Sequence, residues 1–207
     1  MNRKGYQIKK NAISNELADF LYNYLILKRN AVALMYKDNY INYPNMFAGH
    51  WEDMQMPDTY SQYADIAMET LLVDMLPQVQ KIIGKKLNPS YSYCRVYKYG
   101  DELKPHKDRA ECEVSTTLFL GGQEWEIYME GNPVLLKKGD MCIYEGCKLE
   151  HWRYPFKGKR CVQVFLHYDI ADIGRVEYDG REALGLPIEF SPLKEHEKKL
   201  YDTKKDK

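Results

Sequence analysis

Residues 91–108 read YSYCRVYKYGDELKPHKD. Tyr91 to Tyr99 is rich in Tyr, Cys and Val, and Gly100 ends it, which is the pattern of a β-strand followed by a turn. The stretch then closes on His106-Lys107-Asp108. His151 comes 43 residues after Asp108, and Arg160 follows nine residues beyond that. Two imidazoles and one carboxylate are the donor set of an Fe(II) site with three protein ligands and open positions, and an Arg supplies a fixed cation for an anionic co-substrate.

The tripeptide alone is weak evidence. With 5 His and 30 acidic residues, the pattern of His, any residue, then Asp or Glu occurs three times, at His50, His106 and His167. Downstream of His167 only His196 remains, inside a Lys/Glu-rich run that reads as a solvated tail. His50 lies in an aromatic, Met-rich stretch with no strand to hold a ligand. His106, with Asp108 and a distal His151, is the set that can converge.

Outward from this stretch, short β-rich segments succeed one another. They are Tyr91 to Tyr99, Val114 to Leu120, Trp125 to Met129, Val134 to Leu136, Met141 to Tyr144, Leu149 to Arg153 and Arg160 to Tyr168. Gly100, Gly121-Gly122, Gly131-Asn132-Pro133, Gly139-Asp140, Gly146, Pro155 and Gly158 punctuate them. Seven or eight strands of this kind predict a sandwich or jelly roll.

The N-terminal half reads as helical. Ser14 is a candidate N-cap, and Leu17, Phe20, Leu21, Tyr24 and Leu25 form an amphipathic stripe that should lie on a sheet. A second helix is expected over Tyr60 to Leu76, with Pro77 starting a further short helix that Gly84 ends. Ala31 to Asp58 has no period yet holds Tyr43, Phe47 and Trp51. With Ala171 to Gly185 it is expected to close over the barrel mouth, and Trp51, Tyr43 and Phe47 are candidate substrate contacts.

Strand alternation gives Arg160 a face in common with Val162, Val164, Leu166 and Tyr168. A cation on an apolar face is costly unless an anion meets it. Arg160 is therefore expected to hold a carboxylate inside the barrel. Arg95, on the parity of Tyr97, is a second candidate anion binder, and Arg109, next to Asp108, is a candidate substrate contact.

Taken together, Tyr97-Lys98-Tyr99-Gly100, His106-Lys107-Asp108, Gly139-Asp140, His151 and Gly158-Lys159-Arg160 resemble the 2-oxoglutarate- and Fe(II)-dependent oxygenases, most closely their prolyl 4-hydroxylase-like branch. The resemblance implies an α+β chain built on a double-stranded β-helix, a cupin-like jelly roll with N-terminal helices packed on one sheet. It implies Fe(II) held by His106, Asp108 and His151, and 2-oxoglutarate held by Arg160 with support from Tyr97. O2 would be the oxidant, ascorbate a reductant, and an unactivated C–H of a peptidyl-proline or small molecule would be hydroxylated while 2-oxoglutarate is converted to succinate and CO2. No general base is needed beyond the metal ligands. Arg160 stands where the collagen-type enzymes have Lys, so a prolyl substrate does not follow.

Other readings are narrower. A halogenating relative would lack the carboxylate that Asp108 provides. A nucleic-acid demethylase of the family would carry a second Arg six residues after the first, where this chain has Leu166. With Lys+Arg and Asp+Glu balanced at 30 each and intermixed, there is no electrostatic footprint for a phosphate backbone. A non-catalytic cupin-like binding protein would keep the barrel without Arg160 or Tyr97.

The 207 residues, 44% hydrophobic, are read as one oxygenase domain: helical support over about 1–90, the jelly roll over about 91–170, and a charged C-terminal extension over 171–207. Five Cys with no C-x-x-C pair suit free thiols in a reducing compartment. No 18-residue apolar run occurs, and the expected location is the cytoplasm.

Overall fold

In chain order the elements are β1 (Tyr6–Lys9), α1 (Asn15–Lys37), β2 (Tyr60–Tyr63), α2 (Ile66–Ile83), β3 (Leu87–Lys98), β4 (Leu103–His106), β5 (Val114–Gly122), β6 (Ile127–Met129), β7 (Asn132–Val134), β8 (Met141–Tyr144), β9 (His151–Arg153) and β10 (Arg160–Ile170). The computed structural model describes residues 5–109, 112–171 and 177–190. The strands form a six-stranded sheet, β1-β8-β5-β10-β3-β2, and a four-stranded sheet, β4-β9-β6-β7. Every pairing is antiparallel.

Because side chains alternate along a strand, each central strand of the large sheet contributes to two cores. Cys94, Val96, Leu118, Leu120, Met141, Ile143, Val162, Val164, Leu166 and Tyr168 pack with Ala18, Leu21, Leu25 and Val32 of α1 and Met68, Leu71, Leu72, Met75 and Val79 of α2. On the opposite face Tyr97, Phe119, Cys142, Cys161 and Phe165 pack with Leu103, Ile127, Met129 and Val134 of the small sheet. The second core is the barrel interior. The first lies between sheet and helices.

The helices show where local sequence rules held and where they slipped. Ser14 caps α1, its Oγ accepting from the Leu17 amide at 3.2 Å, but the helix runs on to Lys37 because Val32 prolongs its buried stripe. Tyr60–Tyr63 is not helical. It is an edge strand paired with Tyr93–Val96, and the second helix starts only after Asp65, whose Oδ1 accepts from the Ala67 and Met68 amides. Pro77 sits inside that helix rather than opening a new one.

Candidate metal and carboxylate site

β4 and β9 pair so that His106 lies opposite His151 and Leu103 opposite Arg153. The two imidazole rings are 4.2 Å apart between centroids. Just past β4 the Asp108 amide donates to the Gly146 carbonyl at 3.0 Å, which turns the carboxylate back toward the imidazoles. Asp108 Oδ1 is 3.7 Å from His106 Nε2 and 3.4 Å from His151 Nε2. Donors that bind one first-row ion at about 2.1 Å and right angles are about 3.0 Å apart. The three atoms could close on one cation with small rotations.

Around these donors the polar groups fix orientation and charge. His106 Nδ1 lies 2.9 Å from the Lys104 carbonyl and His151 Nδ1 3.0 Å from the Leu149 carbonyl. Each Nδ1–H donates, so each Nε2 keeps a free lone pair for a metal. Burial and the neighbouring His151 push the His106 pKa down, favouring the neutral ligand form. Burial alone would raise the Asp108 carboxyl, but the adjacent His151 and His167 rings and the hydrogen bond from the Ser115 hydroxyl at 2.7 Å outweigh it and hold it well below the usual carboxylate range. Gly146 is needed here for space: an added Cβ would come within 2.4 Å of Asp108 Oδ2 and 2.3 Å of Ser115 Oγ.

Asp108, Cys112 and His167 form a second group with converging donors. Burial pushes the Cys112 thiol up to about 12 and the His167 imidazole down to about 4. The thiol stays protonated and bonded to the Tyr91 hydroxyl at 3.0 Å, and His167 Nδ1 is engaged with Ser115 Oγ at 3.0 Å. This group is the weaker ligand set.

A cavity of about 350 Å³ opens onto the triad, with Asp53, Gln55, Tyr91, Tyr93, Arg95, Leu103, Lys107, Arg109, Ile127, Phe165 and His167 in its walls. Two buried guanidiniums belong to this interior. Arg95 is neutralised: its Nε and Nη2 both donate to Asp53 Oδ2, at 2.9 and 2.5 Å, and Nη2 also reaches Gln55 Oε1 at 2.7 Å. Arg153 is 1% exposed, between the pocket-lining Leu103 on β4 and Ile127 on β6. Its Nη1 donates to the Trp125 carbonyl, and its guanidinium lies 4.9 Å from the Trp125 ring centre. Its Nε and Nη2 have no partner, and the fully buried Tyr97 hydroxyl, which interacts with Arg95, donates to no protein acceptor. Nε and Nη2 form one edge of the guanidinium, the edge that takes a carboxylate side-on.

Arg160 does not share this interior. It has the parity of Val162, Val164, Leu166 and Tyr168, and that face of β10 belongs to the helix-covered core, where Arg160 lies near enough to Arg29 of α1 to depress its pKa. Interior positions of β10 are Cys161, Phe165 and His167. The expectation that Arg160 faces the barrel is corrected. Trp51, Tyr43 and Phe47 are likewise absent from the pocket wall. Trp51 packs on the helix-side core, edge to face with Tyr60 and Tyr36, and Tyr43 packs against Tyr36. Phe47 is 53% exposed beside Lys28. The expected cover contributes Asp53 and Gln55 instead. Of the stretch 171–185, residues 172–176 lie outside the described set; Asp179 receives Arg109 Nη2 at 2.6 Å and the Tyr63 hydroxyl at 2.6 Å. Arg109 lines the cavity.

Neither a protein-family model nor a curated sequence matches the chain. Solved structures do. Viral collagen prolyl hydroxylase from Paramecium bursaria Chlorella virus-1, in complex with 2-oxoglutarate, superposes at TM-score 0.58 with 14% identity, over 81% of this chain and 97% of that one. HygX from Streptomyces hygroscopicus, with nickel and 2-oxoglutarate bound, gives 0.57 and 11% over 84% and 91%. AviO1 from Streptomyces viridochromogenes gives 0.60 and 12% over 83% and 92%. The fold is that of the 2-oxoglutarate and Fe(II) oxygenases. Within the jelly roll His106, Asp108 and His151 line the cavity, while Tyr97 and Arg153 are buried and lie outside its wall. No helix of the described residues is long and apolar enough to cross a membrane.

Proposed function

We propose that this chain is a 2-oxoglutarate-dependent Fe(II) dioxygenase that hydroxylates an unactivated C–H of a peptidyl-proline or small molecule, and that Arg153, not Arg160, anchors the co-substrate. The observation that carries the reading is the unpaired side-on edge of the buried Arg153 guanidinium, two residues after His151 and so on the same face of β9. A buried cation without an anion is costly, and no carboxylate of the described residues pairs with Arg153. The far carboxylate of 2-oxoglutarate has the charge and the two oxygens that this edge accepts.

His106, Asp108 and His151 would hold Fe(II), which with 2-oxoglutarate and O2 supplies oxidative decarboxylation to succinate and CO2 coupled to C–H oxidation. The chain positions the reactants. Lys104 and Leu149 carbonyls fix the imidazole tautomers, Ser115 occupies Oδ2 of Asp108 and leaves Oδ1 free for a metal, and Arg153 with Tyr97 would hold the far carboxylate of 2-oxoglutarate. Leu103, Ile127 and Phe165 keep that end apolar, which strengthens the ion pair. Substrate would approach past Asp53, Gln55, Tyr91 and Arg109. Support for the substrate range comes from neighbours described as a collagen prolyl hydroxylase and as HygX with hygromycin B bound.

The test is calorimetric titration of 2-oxoglutarate into metal-loaded protein, wild type against Arg153→Met, alongside succinate release with candidate peptides and metabolites. Binding that needs Arg153, with Fe(II)-dependent succinate release, is the expected result. Tight metal binding without any 2-oxoglutarate uptake would identify a cupin-like binding protein instead.

A further inference from the structure

Helix α1 is apolar on two faces. One, Ala18, Leu21, Leu25 and Val32, is buried on the sheet. The other runs through Leu17, Phe20, Tyr24, Leu27, Ala31 and Leu34 in alternating steps of three and four residues; Tyr24 is half-buried against the core, its hydroxyl donating to Asp65 at 2.7 Å, and marks the inner border of this face. Leu17, Phe20, Leu27 and Leu34 are 40%, 65%, 72% and 58% exposed, and Ala31 is exposed as well. Scattered surface leucines need no explanation, but a heptad seam over a 23-residue helix, about 35 Å long, is a pattern that packs against another helix.

We infer that this seam is the contact between two copies of the chain, joined as an antiparallel helix pair about a two-fold axis. Charge and amide placement select the partner. Along one border of the seam, at seven-residue intervals, stand Glu16, Asn23, Asn30 and Lys37, all exposed. When one α1 is laid antiparallel on another so that Leu17 meets Leu34, Phe20 meets Ala31 and Tyr24 meets Leu27, the border pairs Glu16 with the second copy's Lys37 and Asn23 with its Asn30. The two-fold repeats each pair. An antiparallel helix pair brings such border positions of like heptad letter together, and a two-fold contact must be complementary to itself. Parallel packing would set Glu16 beside Leu21 of the second copy and leave Lys37 without a partner, so the charges choose the antiparallel arrangement. On the other border Lys28 is tied to Asp65 at 2.6 Å and leaves the contact without a free charge there. The inner stripe and the barrel are on the other side of the helix, so the contact leaves the catalytic mouth open.

The experiment is sedimentation equilibrium of the full chain from low to high micromolar concentration, with melting temperature recorded for each variant. A reversible dimer is expected. Leu27→Glu, at an exposed position, should weaken it at least about 100-fold with the melting temperature of the monomer unchanged, because a charge would enter the centre of the seam. Glu16→Lys should weaken it about tenfold, and Glu16→Lys combined with Lys37→Glu should restore it, as the swapped charges meet again. A chain that stays monomeric throughout, as it would if its own residues 191–207 or a different protein covered the seam, overturns the inference. So does a dimer that survives Leu27→Glu, or one that the double swap fails to rescue.

Discussion

Arg95 and Arg153 are two guanidiniums buried in the same barrel, and they could hardly be used more differently. Arg95 on β3 is closed along its Nε–Nη2 edge: Asp53 takes both nitrogens, the Tyr93 hydroxyl donates to the same carboxylate at 2.8 Å, and Gln55 accepts the second Nη2 hydrogen. Arg153 on β9 is open along that same edge, with only Nη1 engaged. A cation matched by its own protein's anion fastens a loop, here the segment of Asp53 and Gln55, to the sheet. A cation left unmatched is held ready for an anion that comes from outside. Burial alone would not separate the two roles; the pairing of each donor does.

The sharpest way to break the comparison is to remove the open cation. Arg153→Met should weaken 2-oxoglutarate by about 100-fold or more, because a charge-assisted bidentate pair is worth about 2–5 kcal/mol when one partner is truncated. Thermal stability should hold or rise, since an uncompensated buried charge goes with it. Calorimetry and a melting curve on the same sample check both halves; a lost fold with retained affinity would invert the assignment.

The closed cation should behave the other way. Arg95→Met leaves Asp53 charged and unpaired and should cost about 3–5 kcal/mol of stability in urea unfolding, while the double change with Asp53→Leu recovers most of it. The pair also has a pH signature. Burial raises the Asp53 carboxyl, and the Arg95 charge with hydrogen bonds from Tyr93 and Arg95 more than offsets it, so the folded-state pKa lies below the unfolded one. A carboxylate depressed in this way contributes stability that is fully present above its unfolded pKa, about 4, and is lost as pH falls through the folded value. Asp53→Asn should therefore flatten the acid limb of the stability curve below about pH 4. An unchanged limb would show that the pair contributes nothing.

Smaller effects follow at the two positions that the structure moved out of the site. Trp51→Ala should cost about 2–3 kcal/mol, less than the 3–5 of a wholly buried ring, with normal specific activity in the folded enzyme. Arg160→Ala should change 2-oxoglutarate affinity by less than about twofold, since Arg160 lies outside the cavity wall on the helix side of β10. A tenfold loss there would restore Arg160 to the co-substrate.

The order and spacing of His106, Asp108 and His151 were legible because ligand chemistry restricts residue type and because strands fix their reach. Parity along Arg160–Tyr168 correctly grouped the side chains but could not say which group lay inside, since both faces of β10 are apolar, one under helices and one in the barrel. A usable signal for Arg153 did exist: it stands two residues after His151, so on a strand it must share the ligand's face. The four-residue strands β1 and β2 escaped because so few residues show no period, and Tyr60–Tyr63 was absorbed into the helix that Asp65 starts. Asp53 was hidden by distance, meeting Arg95 across 42 residues of chain.

The carbonyls of Lys104 and Leu149 carry one last consequence. Each belongs to the residue two before its histidine, so the backbone that presents each ring also sets its proton, and the donors are poised before any ion arrives. Little rearrangement then distinguishes one divalent metal from another, and intrinsic affinity should follow the ordinary order in which nickel, cobalt and zinc outrank ferrous iron. Identity of the resident metal would be decided by supply within the cell, and inactive protein loaded with the wrong ion is the expected form after purification in air.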